Sequence, residues 1–157
     1  MDDSAVPQQL DDAAQQLDLA AIRARRANLR RTGARLTEVL ALPRGGVADW
    51  VVAVSPAAQA LAEAWQTHAA VTEAPDGVLV QIVDDAPRLA RQVGRLRAEH
   101  AQIEALLRLA AEHLAGGDPA PAGISAELGE VLDRIARHRR TGGELIYQAY
   151  QIDIGGE

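Results

Sequence analysis

One stretch constrains the fold more than any other. Pro87 to Ala115 reads PRLARQVGRLRAEHAQIEALLRLAAEHLA. Leu89, Val93, Leu96, Ile103, Leu107, Ala110 and Leu114 recur at alternating steps of four and three residues, which is one face of an α-helix. Pro87 suits a first helical turn, where its missing N–H leaves no hydrogen bond unmade, and Gly116-Gly117 provide a stop. At ~1.5 Å per residue such a helix runs about 43 Å, a length that calls for an elongated bundle. A single position on the stripe breaks its rule. His100 stands where the pattern asks for leucine, and Glu104 follows one turn later on nearly the same face.

The remaining chain repeats the helical pattern. From about Gln8 to Leu42, the apolar side is Leu17, Ala21, Ile22, Leu29, Leu36, Val39 and Leu40. Arg23, Arg25, Arg26, Arg30, Arg31 and Arg35 crowd the same segment. Such a run reads as a solvated face with its stems over the core edge, or as a dock for an acidic partner. After the turn Pro43 to Gly46, a second helix begins either near Val47, kinking at Pro56, or at the Ser55-Pro56 cap. Its inward stripe is Leu61, Trp65, His68 and Thr72. Pro75-Asp76-Gly77 breaks it, and Val78 to Ala86 forms a short apolar helix expected to cover the end of the bundle. Ser125 is read as the cap of a last helix, with stripe Leu128, Val131, Ile135, His138, Gly142, Leu145 and Ala149. Gly142-Gly143 inside it predict a close helix approach or a small cavity near His138. The expected fold is therefore all-α: an up-down-up-down antiparallel four-helix bundle with a short extra helix near 78–86. Residues 1–7 are expected to be a disordered end, and 8–157 a single domain.

Composition narrows the chemistry. There is no cysteine, so thiolate metal sites, disulfides and cysteine nucleophiles are excluded. There is no lysine either, which removes Schiff-base chemistry and the lysine of a phosphate-binding loop. A net charge of −6 argues against a nucleic-acid binder. No apolar run is long enough for a membrane span or a signal peptide, so a cytoplasmic protein is expected. The excess of Ala and Arg points to a GC-rich bacterial genome.

His68, His100 and His138 occupy the apolar stripes of three different helices. Their distances from the helix ends place them within about 8 Å along the bundle axis if Val78 to Ala86 extends the second helix. Facing imidazoles at one level are how helical bundles build metal sites, whereas a lone core histidine is usually a hydrogen-bonded polar group. His113, beside Gly116-Gly117, is read as a partner of the helix dipole.

These residues carry a resemblance. HAAVTEAPDG resembles the second-helix motif, LRAEHAQIEALL the third-helix motif and RHRRTGGELIYQAYQ the fourth-helix motif of the hemerythrin-like, or HHE cation-binding, family. The resemblance runs from about Asp18 to Asp153. It implies a bundle built around a non-haem di-iron pair with about five histidines and two bridging carboxylates, used to bind or sense oxygen or to handle iron. The chain departs from that pattern at Thr72 and Gly142, where the family has carboxylates, and at Glu104, where it has histidine. The first helix has no histidine; Asp18 is a substitute there, and Arg25 would repel a cation. What survives is a set of His68, His100, Glu104 and His138, enough for one ion but too few for two.

The functional expectation is a non-catalytic binding or regulatory module with a degraded di-iron site and no cofactor. It would act through a protein partner or self-association, without nucleic acid or membrane. The alternative is a protein that binds one non-haem iron or zinc ion through the residual His/Glu set, or senses oxygen with it. No nucleophile–base pair or dinucleotide loop supports an enzyme.

Overall fold

The computed structural model describes residues 5–43, 45–116 and 120–151, with side chains in the first helix described from Ala20 onward. The described residues are helical, without a strand. Four long helices, α1 (Ala5–Leu40), α2 (Val47–Glu73), α4 (Ala90–Ala115) and α5 (Pro121–Gln151), are joined by a short α3 (Val78–Asp85) and a 3-10 turn at Pro87–Leu89. Of the stretch expected to be disordered, residues 1–4 lie outside the described ones, and α1 already begins at Ala5.

The α4 stripe is buried along its whole length, from Val93 to Leu114, with His100 in its place. Pro87 starts the 3-10 turn, and the α-helix proper follows from Ala90. Helix α2 begins at Val47 and continues past Pro56, which lies inside it. Both Pro56 and Val52 are exposed, so the Val52 carbonyl that loses its N–H partner faces water. The last helix starts at Pro121, one turn before the expected Ser125 cap, because proline at the first position has no N–H to leave unpaired. Glu127 reaches His113 at the end of α4 with an N···O distance of 2.9 Å.

Side chains assort into two apolar clusters. The larger joins α1, α2, α4 and α5 through Leu36, Val54, Leu61, Trp65, Ile103, Leu107, Leu128 and Val131. The smaller lies around α3, where Leu79, Ile82 and Ala86 meet Leu89, Val93, Leu96, Leu145 and Ala149. Burying each such side chain contributes ~1.5–3 kcal/mol. Helix α3 therefore closes one end, as its apolar face predicts, by packing on α2, α4 and α5. Helix α1 packs broadly on α2 but only sparsely on α5. Ile22, read as part of the inward stripe, is exposed at 38%.

The glycines behave in two ways. At Gly77 a Cβ would lie 2.5–2.8 Å from the carbonyl oxygens of Val71, Thr72 and Ala74, so the α2–α3 corner has room only for hydrogen. At Gly142 and Gly143, among the described residues, a Cβ would meet nothing within 4 Å. Among the described residues the expected close approach at these glycines is not made. Thermal denaturation should separate the two cases. Gly77→Ala should destabilise by ~1–3 kcal/mol through overpacking. Gly142→Ala and Gly143→Ala should each stabilise by ~0.5–1 kcal/mol, the helix-propensity difference alone.

Candidate metal centre

Each histidine of the cluster is set by the stripe that carries it. His68 follows Trp65 on α2, His100 lies between Leu96 and Ile103 on α4, and His138 lies between Ile135 and Leu145 on α5. The apolar neighbours of each belong to the two clusters, so the imidazoles form a polar layer where those clusters meet. His100 and His138 are 3% and 4% exposed, and His68 is half-buried. Trp65, fully buried, lies against all three rings at centroid distances of 5.0–5.5 Å. Its indole N–H donates to the His100 carbonyl at 3.2 Å, which fixes the ring beside the cluster.

The ring nitrogens converge. His100 Nε2 lies 3.1 Å from His138 Nε2, and His68 Nε2 lies 3.4 Å from His138 Nε2. One ligand nitrogen from each residue falls within 4.8 Å of the others. The outward nitrogens of two rings are held by carboxylates. His138 Nδ1 is 2.9 Å from Glu99 Oε2, and His100 Nδ1 pairs with Glu73 Oε1. Both carboxylates are partly solvated, with side chains 38% exposed at Glu73 and 42% at Glu99. A carboxylate partner keeps the proton on Nδ1. Nε2 of His100 and of His138 then each present a lone pair, and the two lone pairs face one another at 3.1 Å.

Two arrangements relieve that opposition: an added proton or a cation. Burial works against the proton. It holds the His138 imidazole below its usual value, more than the Glu99 hydrogen bond lifts it, and His100 adds to the lowering. His68 is pushed down to about 3, first by burial and then by the charges of His138, His100, Arg139 and Arg26. Four nitrogen ligands at ~2.0–2.1 Å around a tetrahedral ion are about 3.3–3.4 Å apart. The Nε2 separations of 3.1 and 3.4 Å match such edges.

Of the four sequence-derived ligand candidates, His68, His100 and His138 come together and Glu104 does not. Glu104 is exposed and accepts from Gln66 Nε2 at 3.4 Å across the α2–α4 groove, because its place on α4 turns it away from the imidazoles. Thr72 donates back to the His68 carbonyl at 2.9 Å and to the Ala69 carbonyl, so it closes its own helix turn. Arg25 is half-buried, and the cationic groups acting on His68 are instead Arg26 and Arg139. Asp18 lies outside the residues whose side chains are described. The residues missed from sequence are Glu73 and Glu99. Both stand on the wrong face of their own helix to join a neighbouring histidine, and each reaches a histidine on a different helix. Comparison with family models, curated proteins and solved structures finds no match to this chain.

The shifted histidine has a measurable consequence in metal-stripped protein. Between pH 6.5 and about 3 the unfolded chain protonates His68 and the folded chain does not. Its contribution to stability is therefore complete above pH 6.5 and is lost as the pH falls through that window. The melting temperature should drop by roughly 5 °C or more between about pH 7 and pH 5. His68→Leu should flatten that drop; an equally steep profile in the variant would remove His68 as its source.

Proposed function

We propose that this chain is a metal-binding helical bundle, hemerythrin-like in an up-down-up-down order of its four long helices. Its centre is reduced from two metals to a single divalent ion held by His68, His100 and His138. The observation that carries this reading is the pair of Nε2 atoms facing each other at 3.1 Å while carboxylates occupy both Nδ1 atoms. A carboxylate behind a ligating imidazole sets its tautomer and raises its basicity. A donor set of three imidazoles and no thiolate suits zinc first and ferrous iron second. When bound, such an ion supplies a Lewis acid with one exchangeable position.

A two-metal centre does not fit these residues. Thr72 is spent on its own backbone, Gly142 has no side chain, and Glu104 is directed to Gln66. The role proposed is binding or regulation rather than catalysis, since among the described residues the cluster gathers imidazoles and their carboxylates. A second reading is a metal-free module in which the histidines are a structural polar layer. The positive charges of Arg26 and Arg139, which act on His68, favour it.

Elemental analysis of untagged protein grown with iron, manganese and zinc separates the two. The metal reading expects about one equivalent of a single metal and a lower melting temperature after chelation. It also expects complete loss of metal in His100→Leu and His138→Leu. Glu99→Gln should keep the fold and weaken metal affinity roughly 10–100-fold. A metal-free product, indifferent to chelator, with His100→Leu more stable than the parent, would leave the structural layer as the answer.

A further inference from the structure

The last turns of α2 carry two members of the site. His68 brings a ring nitrogen to the cluster, and Glu73, the final residue of the helix, pairs with His100 Nδ1 on α4. Thr72 ties the two together by donating to the His68 carbonyl at 2.9 Å. Beyond Glu73 the backbone closes tightly on Gly77. The Gly77 N–H donates to the Ala74 carbonyl at 2.7 Å, and the Gly77 carbonyl accepts from the N–H groups of Val80 and Gln81, which starts α3. The Gln81 side-chain amide donates to the Asp76 carbonyl at 2.8 Å and fastens the corner from outside. The carbonyl oxygens that crowd the place of a Gly77 side chain are those of Val71, Thr72 and Ala74. These peptide groups flank Glu73: the Thr72 carbonyl carbon is bonded to its nitrogen, and Ala74 follows it.

Such a corner cannot change without moving Glu73. The crowding atoms are backbone, so they give way only if the end of α2 shifts, and close-packed interiors transmit a shift of this kind. We propose that the α2–α3 corner is a positioning device for the metal centre, coupling the packing of α3 to metal affinity through the Glu73–His100 pair. The coupling rests on the metal reading above. Glu73 keeps the proton on His100 Nδ1 and orients the ring, which leaves the Nε2 lone pair aimed at the centre. Gly77 acts one step further out, by setting where Glu73 stands. Linkage makes the coupling reciprocal: occupancy of Nε2 strengthens the Glu73–His100 pair, and through it the corner. Helix α3 covers the smaller apolar cluster, with Leu79 and Ile82 buried beside Leu96 and Leu145. The order of α3 thereby reports occupancy of the centre, and its packing carries the regulatory signal away from the histidines.

Calorimetric titration of zinc into the metal-stripped full chain, with cobalt as a spectroscopic substitute, tests this. Glu73→Gln should weaken zinc affinity roughly 10–100-fold. Gly77→Ala should weaken it roughly fivefold or more, and should shift the visible bands of the cobalt form in the same direction as Glu73→Gln. In the Glu73→Gln background, Gly77→Ala should add less than about twofold, because the carboxylate that carries the coupling is gone. Gln81→Ala loosens the same corner at an exposed residue and should act in the same direction; it takes the place of Gly77→Ala should that variant not fold. Hydrogen exchange of the α3 amides should slow on zinc binding to the parent. Zinc-saturated Glu73→Gln should lose that protection in α3 and keep it in α4. Corner variants with lowered melting temperatures but unchanged zinc affinity and cobalt spectrum would make the corner merely structural and overturn the proposal. Full additivity of Glu73→Gln and Gly77→Ala would overturn it as well, while leaving the metal centre in place. A parent that binds neither zinc nor cobalt removes the metal centre itself, and this coupling with it.

Discussion

Three imidazoles placed between two apolar clusters impose a requirement that the surrounding residues must meet. A ring nitrogen removed from water without a partner is costly, by ~1–3 kcal/mol in protein contexts. Glu73 and Glu99 satisfy the outward nitrogens of His100 and His138 and remain partly solvated, so neither carboxylate bears the full penalty of burial. The inward nitrogens have only each other. That inward side is where the proposed ion, or a proton shared between imidazoles, would sit.

The apolar parts of the fold prepare this layer. Trp65 lies against all three rings and is tied to the α4 backbone at His100, so one side chain links the larger cluster to the site. Below the histidines, α3 closes the smaller cluster around Leu96 and Leu145, which flank His100 and His138 on their respective helices. The corner that turns α2 into α3 depends on Gly77, since three backbone carbonyls fill the space of its missing side chain. Position Glu73, the last residue of α2, is therefore set by that corner, and with it the partner of His100.

On the remaining side the structure is looser and more charged. Among the described residues the α1–α5 contact is sparse, and Ile22, Arg26, Arg30 and Arg139 are exposed. His68, the least buried of the three histidines, feels the charge of two of these arginines. The layer thus has a dry side against Trp65 and an electropositive side toward the seam.

Much of this was legible in the chain because helical periodicity is a local property. The α4 stripe predicts its buried residues, and it marks His100 as the exception by the same count. The level of His68, His100 and His138 follows from rise per residue only on the condition that Val78 to Ala86 extends the second helix. Other features are not local. Glu73 and Glu99 meet histidines on other helices, so their spacing within their own helices carried no signal, whereas Glu104, well spaced for His100, turns to Gln66. The glycines at 142 and 143 read as a packing device, yet among the described residues nothing lies within 4 Å of where their Cβ atoms would be. Sequence by itself determined which faces of the helices are apolar and which three histidines lie on them, because each depends on residues within a few turns. Only the tertiary structure decided which carboxylates hold those imidazoles and which nitrogens face one another. Those choices depend on how helices far apart in sequence are rotated and spaced, and one-dimensional patterning does not encode that rotation.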